Sequence, residues 1–203
     1  MSFVIAAIMN NKIIMMGDTQ LNHKVKQCAI KQTTIKVFLL DKRTLIGITG
    51  DFDTHIDLIK DINSGFKFSK LSFMDKKNYI KNIICQRNNN VILATLENNV
   101  AKLIAMGKDY GYDMPIEIIS TGAQIKVLLP PDVTEEFCKP YVYSLLGIKN
   151  QMFSCVEAVS NTSNTVNNKI VGFQITQGNY EIITKNIQYS AIDYKITFNN
   201  LEV

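Results

Sequence analysis

The chain has 203 residues, 46% hydrophobic and 20% charged, proportions that suit one soluble globular domain with a substantial core. Its net charge is +4, yet the lysines are scattered and form no run, so the concentrated electrostatic footprint of a nucleic-acid-binding protein is not expected. The apolar N-terminal stretch follows no positive segment and is broken by Asn10-Asn11-Lys12, which argues against a signal peptide or a membrane span and for an intracellular, cytoplasmic protein.

In chain order, Val4 to Ile8 and Ile13 to Met16 are apolar at every position, as in strands buried on both faces. Thr33 to Leu40 and Thr44 to Thr49 flank Asp41-Lys42-Arg43 and predict a second hairpin. Asp53 or Thr54 can cap a helix with Ile56, Ile59 and Ile62 on one stripe, ending near Ser64-Gly65. Ser72 and Asp75 have capping-box spacing at the start of a helix running to about Arg87, with Phe73, Ile80, Ile83 and Ile84 as its apolar face.

Val91 to Glu97 and Val100 to Met106 bracket Asn98-Asn99, a third hairpin, and Ile116 to Ser120 reads as a short strand. Pro130-Pro131 and Pro140 limit the next region to short helical pieces at Val133 to Lys139 and Tyr141 to Leu146. A helix is predicted from Gln151 to about Ser163 with Met152, Val156 and Val159 inward. Strands follow near 170–176 and 180–187, with an extra one at Tyr194 to Phe198. Hairpins at both ends with helices between them predict two antiparallel sheets between helical layers.

Four cysteines (Cys28, Cys85, Cys138, Cys155) without C-x-x-C spacing and two histidines (His23, His55) point to free thiols and to no metal; no cofactor is expected. Asp51, Asp53, Asp57 and Asp61 read as a helix start and its solvated face, and His55 as structural or exposed.

The chain start carries the chemistry. With a two-residue turn at Asn10-Asn11, Met9 faces Lys12 and Phe3 faces Asp18, which sets the hydroxyl of Ser2 beside a carboxylate. Loss of Met1 would add a free α-amine, and nucleophile, base and carboxylate together suggest an N-terminal-nucleophile hydrolase.

Ser2 to Asp18, followed by Thr19-Gln20, resembles the opening of proteasome β-type subunits and the bacterial HslV-like proteases. Thr34-Ile35-Lys36-Val37 is similar to the family's lysine-bearing strand, and Leu45-Ile46-Gly47-Ile48-Thr49-Gly50 to its glycine-containing strand and turn. The resemblance is good over residues 2 to 65 and weak beyond Gly122. It implies an α+β fold, a four-layer αββα sandwich of two antiparallel sheets. It also implies a homo-oligomer, possible as a ring, with an ATPase partner and peptide or unfolded-protein substrates.

Carried over, Ser2 is nucleophile and base, and the Lys36 ammonium favours the neutral amine and the developing alkoxide. Asp18 holds Lys36, and the Gly50 N–H stabilises the oxyanion. Ser120-Thr121-Gly122 corresponds to the family's Gly-Ser-Gly turn, which makes Thr121 a supporting hydroxyl. Each residue also has a plain alternative: Asp18 as a turn former, Lys36 as a solvated lysine, Gly50 as relief for a tight turn.

Serine stands where the family has threonine. The family's second supporting carboxylate falls at Val166, where Asn164, Thr165 and Asn167 offer no Asp. These departures keep open a non-catalytic assembly subunit, or an amidase or acyl-transfer enzyme acting on a small molecule.

Overall fold

Strands β1 (Val4–Met9) and β2 (Lys12–Asp18) form the expected N-terminal hairpin, with Met9 opposite Lys12 and Val4 opposite Gly17. The computed structural model describes residues 2–9, 11–22, 29–64, 67–119, 121–142 and 146–187. Met1, Asn10, His23, Cys28, Gly65, Ser120, the middle of the 141–146 piece and the 194–198 strand lie outside them.

A short two-stranded ribbon of β3 (Gln20–Asn22) and β4 (Ala29–Thr33) follows, and then β5 (Val37–Asp41) pairs with β6 (Thr44–Gly50). Helices α1 (Phe52–Asn63) and α2 (Phe73–Ile84) precede β7 (Asn89–Glu97), β8 (Val100–Gly107) and β9 (Glu117–Ile119). The chain continues through β10 (Ala123–Leu128), the single turn α3 (Glu135–Cys138), α4 (Ile148–Thr162), β11 (Ile170–Thr176) and β12 (Asn179–Lys185).

The strands assemble into two five-stranded antiparallel sheets, ordered β10-β1-β2-β11-β12 and β5-β6-β7-β8-β9, so the protein is α+β. Three separate cores account for the continuous apolar runs. Ile5, Ala7, Ile14 and Met16 face Met152, Val156 and Val159 of α4. The alternate side chains Val4, Ala6, Ile8, Ile13 and Met15 meet Val37, Leu39, Ile92 and Leu103 of the second sheet. That sheet's other face, through Phe38, Ile46 and Ile48, covers Leu58 of α1 and Phe73, Ile80 and Ile84 of α2. Strands buried on both sides cannot alternate apolar and polar residues, which is why the period-2 signal is absent there. The arrangement is compatible with a sandwich. Gly47 marks a close approach of the sheets, since a Cβ there would sit 2.6 Å from Val4 Cγ1 and 2.8 Å from Met15 Sδ.

Local chemistry explains most boundaries. Ser72 caps α2 by accepting the Asp75 N–H, and Asn98 and Asn99 turn β7 into β8 with φ of 51° and 62°, the left-handed values of a two-residue hairpin turn. The structure departs from expectation in several places. The 33–40 strand is interrupted at Thr34–Lys36, which belongs to neither β4 nor β5. On α1, Asp51 occupies the N-cap position, and the buried positions are Thr54, His55 and Leu58, with Ile56 and Ile59 only half-buried. Instead of a helix over 133–139, Thr134 caps the single turn of α3 and a 3₁₀ turn (Lys139–Tyr141) runs through Pro140. Helix α4 starts three residues earlier than predicted, after Gly147 at φ 70°. Strand β10 was not expected at all. Among the described residues no helix is long and apolar enough to cross a membrane.

Candidate active site

Asp18 ends β2 directly beside the start of the chain. Its N–H donates to the Phe3 carbonyl at 3.2 Å, and its Oδ1 accepts the Phe3 N–H at 2.8 Å. The other oxygen, Oδ2, accepts the Gln20 N–H at 2.9 Å and the Lys36 ammonium at 2.6 Å. Two backbone amides and one cation therefore hold a carboxylate that is completely enclosed, with Lys36 only 2% exposed. A buried charge survives only with this degree of pairing.

Lys36 reaches the site from the irregular stretch between β4 and β5. Its carbonyl accepts the Ile48 N–H at 2.8 Å, which anchors that stretch to β6. A Cβ on Gly17 would lie 3.1 Å from the Phe3 carbonyl oxygen and 3.2 Å from Val4 Cγ2, so the glycine of Gly17-Asp18 lets β2 press closely on β1 beside the site. Burial pushes the Lys36 ammonium below its usual value, and the Asp18 carboxylate opposes that shift without cancelling it. Ser2 itself is buried, adjoining the Phe3 amide that Asp18 holds. Ser2, Asp18 and Lys36 thus gather at one end of the first sheet.

Gly50 stands at the same end of β6. It has φ 110°, and a Cβ there would lie 1.9 Å from the Asn88 carbonyl oxygen, so only glycine fits. Amides alternate in direction along a strand. Because the Ile48 N–H points toward Lys36, the Gly50 N–H two residues later points to the same side.

Thr121 is not brought to this site. Ala123 pairs with Met9 and Leu128 with Val4, so Thr121 lies beyond the turn end of the hairpin, at about 3.3 Å per residue roughly 30 Å along the strands from Ser2. The same register carries the Pro130–Val133 turn, which follows β10, to the Ser2 end of the sheet, and Val133 shares a core with Phe3. Its Asp132 accepts the Ser163 hydroxyl at 2.9 Å, and Ser163 also bonds the Thr165 hydroxyl at 2.8 Å. No Asp stands beside Val166 in sequence, yet a carboxylate reaches this loop from the other side of the chain. Asn167 accepts the Thr19 N–H at 3.2 Å, next to Asp18, while Val166 is buried in the core with Phe3. Such contacts between residues 30 to 150 apart leave no local pattern in a sequence.

His55 is buried rather than exposed. Its Nδ1 lies 3.3 Å from the Asp51 carbonyl, and its ring sits between Phe38 and Phe52 with centroids 6.1 and 6.0 Å away. Burial holds the imidazole down at about 4 despite the Asp51 carbonyl, and the Lys36 ammonium adds to that depression. Of the helix acids, Asp57 pairs with Arg87 at 2.6 Å and Asp61 accepts the Tyr79 hydroxyl at 2.6 Å. Among the described residues no group of three or more His, Cys, Asp or Glu side chains is placed to hold a metal ion.

The arrangement sets the start of β1 beside a buried carboxylate–ammonium pair, with the Gly50 N–H on the Lys36 side of β6. A scan against protein-family models finds no match to the chain, and a search of the curated proteins finds none either.

Proposed function

We propose that the chain is a proteasome β-type, HslV-like N-terminal-nucleophile hydrolase that cleaves peptide bonds, with its sheets and helices stacked as a four-layer αββα sandwich. The observation that carries this reading is the Asp18 carboxylate, which binds the Phe3 N–H at 2.8 Å and the Lys36 ammonium at 2.6 Å within one enclosed pocket next to Ser2.

After Met1 is removed, the Ser2 α-amine takes the Oγ proton as Oγ bonds to the substrate carbonyl carbon. An α-amine titrates near pH 7.7–8, so it is partly neutral at working pH, and the neighbouring Lys36 cation favours that neutral form. The carbonyl oxygen gains charge and accepts the Gly50 N–H. Collapse breaks the C–N bond, the α-ammonium passes its proton to the leaving nitrogen, and water hydrolyses the resulting ester by the same route. Asp18 balances Lys36 throughout. Peptides or unfolded proteins are the substrates, and the reading carries with it self-association into a ring and an ATPase that delivers substrate.

Intact mass of the protein from its own host and casein hydrolysis test this together. Loss of Met1, hydrolysis abolished by Ser2→Ala and strong loss in Lys36→Ala are expected. Full retention of Met1, or a Ser2→Ala variant as active as the parent, would sink the mechanism.

The carboxamide of Asn167 near Asp18, and the distance of Thr121, favour a second reading: an assembly subunit that uses the same fold without catalysis. It predicts a large particle by light scattering and no effect of Ser2→Ala on any property.

A further inference from the structure

We infer that Asn89 is a positioning residue that aims the Gly50 N–H at the Ser2 site. The inference rests on the reading of Ser2 as a nucleophile whose tetrahedral adduct that N–H receives.

Asn89 begins β7 opposite Gly50 and is completely buried. Its Nδ2 donates to the carbonyls of Thr49 at 3.0 Å and Asp51 at 3.1 Å, the residues on either side of Gly50. Its Oδ1 accepts the Thr54 hydroxyl at 2.6 Å. Both amide protons and the carbonyl oxygen are thereby engaged, and the two carbonyls fix which way the carboxamide faces.

The Thr49 carbonyl and the Gly50 N–H belong to one planar trans peptide, in which O and H point in opposite directions. A donor holding that oxygen on the β7 side therefore holds the N–H on the other side, the one facing Lys36. The contact acts on the orientation of a single peptide plane, at the last pair of the β6–β7 ladder, where strand pairing ends. Gly50 has no side chain to limit rotation, and its φ of 110° lies where glycine alone is at ease.

Further bonds back this clamp. Arg87 donates from Nη1 to the Thr54 oxygen at 3.3 Å and pairs through Nη2 with Asp57 at 2.6 Å. Donation runs one way, from Arg87 to Thr54 to Asn89 to the two carbonyls, so every hydroxyl and amide in the chain has a defined orientation. The relay ties the turn after β6 to α1 and to the segment that follows α2. A residue with only a packing role would not need to face both flanking carbonyls.

The test uses the full chain with Met1 removed. The ¹⁵N order parameter and residual dipolar coupling of the Gly50 N–H are measured alongside kcat and KM on fluorescein-labelled casein, for the parent, Asn89→Ala, Thr54→Val and Thr54→Ser. The parent order parameter should be about 0.85, and Asn89→Ala should fall below about 0.6. Its kcat should drop about a hundredfold with KM little changed, as expected when an oxyanion donor loses its aim. Thr54→Val should move the same quantities in the same direction, and Thr54→Ser should recover most of that loss. A folded Asn89→Ala with the parent's Gly50 order parameter and coupling overturns the proposal. If Asn89→Ala does not fold, the same outcomes in Thr54→Val decide it. Casein turnover that survives Ser2→Ala would instead defeat the nucleophile reading, and the Gly50 measurements would still report whether Asn89 orients that peptide.

Discussion

Lys76 Nζ lies 2.6 Å from Asp41 Oδ2, with the two side chains 5% and 9% exposed, and this pair joins α2 to the β5–β6 hairpin. Lys76 also donates to the Thr44 hydroxyl at 3.0 Å, which meets the Thr95 hydroxyl at 3.1 Å. Removing one partner leaves a buried charge unpaired, so Lys76→Met alone should cost about 3–5 kcal/mol in urea unfolding. Replacing both, as Asp41→Leu with Lys76→Met, should restore most of that. A double variant no more stable than the single one would show that the pair is not the source of the loss.

His55 makes stability depend on pH in a defined window. Its folded value of about 4 lies below the ordinary 6.5, so between those values the unfolded chain takes a proton that the folded protein refuses. Stability is then full above pH 6.5 and falls as the pH drops, by about 3 kcal/mol on reaching pH 4. His55→Phe, which keeps a ring between Phe38 and Phe52, should lose correspondingly less over the same range. Parallel pH curves for parent and variant would refute the assignment.

Gly50→Ala combines two penalties. The new Cβ meets the Asn88 carbonyl oxygen at 1.9 Å, and alanine is forced to a φ of 110°. Backbone strain of this kind costs about 1–3 kcal/mol, and relief requires the turn to move. The variant should unfold at lower urea concentration, and casein hydrolysis should fall further than stability does. Normal turnover in a folded Gly50→Ala would remove this amide from the mechanism.

The depressed ammonium of Lys36 sets an alkaline limit. If Lys36 must be charged, kcat/KM should decline at a pH below the 10.5 of a free lysine. Stability has the opposite sign. The folded protein holds fewer protons on Lys36 than the unfolded chain across that interval, so this group makes stability rise with pH up to 10.5. A pH–rate profile flat to 10.5 would contradict the role given to the cation.

Asp18→Asn should lower kcat/KM at least about a hundredfold while leaving most of the Phe3 contact, because an Asn oxygen can still accept that N–H. Equal activity in the variant would move the chemistry elsewhere.

The Asp18–Lys36 pair was legible through the family resemblance, which sets a lysine-bearing strand against the Gly-Asp that closes the first hairpin. Asp18 closes a fully buried hairpin and Lys36 opens an apolar strand, so their side chains had few other places to go. Strand β10 carries a period-2 signal in Gln124, Lys126 and the apolar residues between them, but at six residues that signal is brief. The resemblance of Ser120-Thr121-Gly122 to the family's turn implies a supporting hydroxyl at Thr121, whereas the β1–β10 register sets that residue beyond the far end of the sheet. Nothing local to Lys76 announces that Asp41 waits for it. Asn89 and the Asp132–Ser163 contact depend on which loops meet in space, and the sequence does not encode that locally.

Strand β1 occupies the interior of its sheet, paired on one side with β2 and on the other with β10, which begins only at Ala123. During synthesis the first residues therefore remain accessible until most of the chain has emerged, and the later strand then shuts them in. Until β10 arrives, that apolar strand presents an open edge, so completion of the first sheet waits on the middle of the chain.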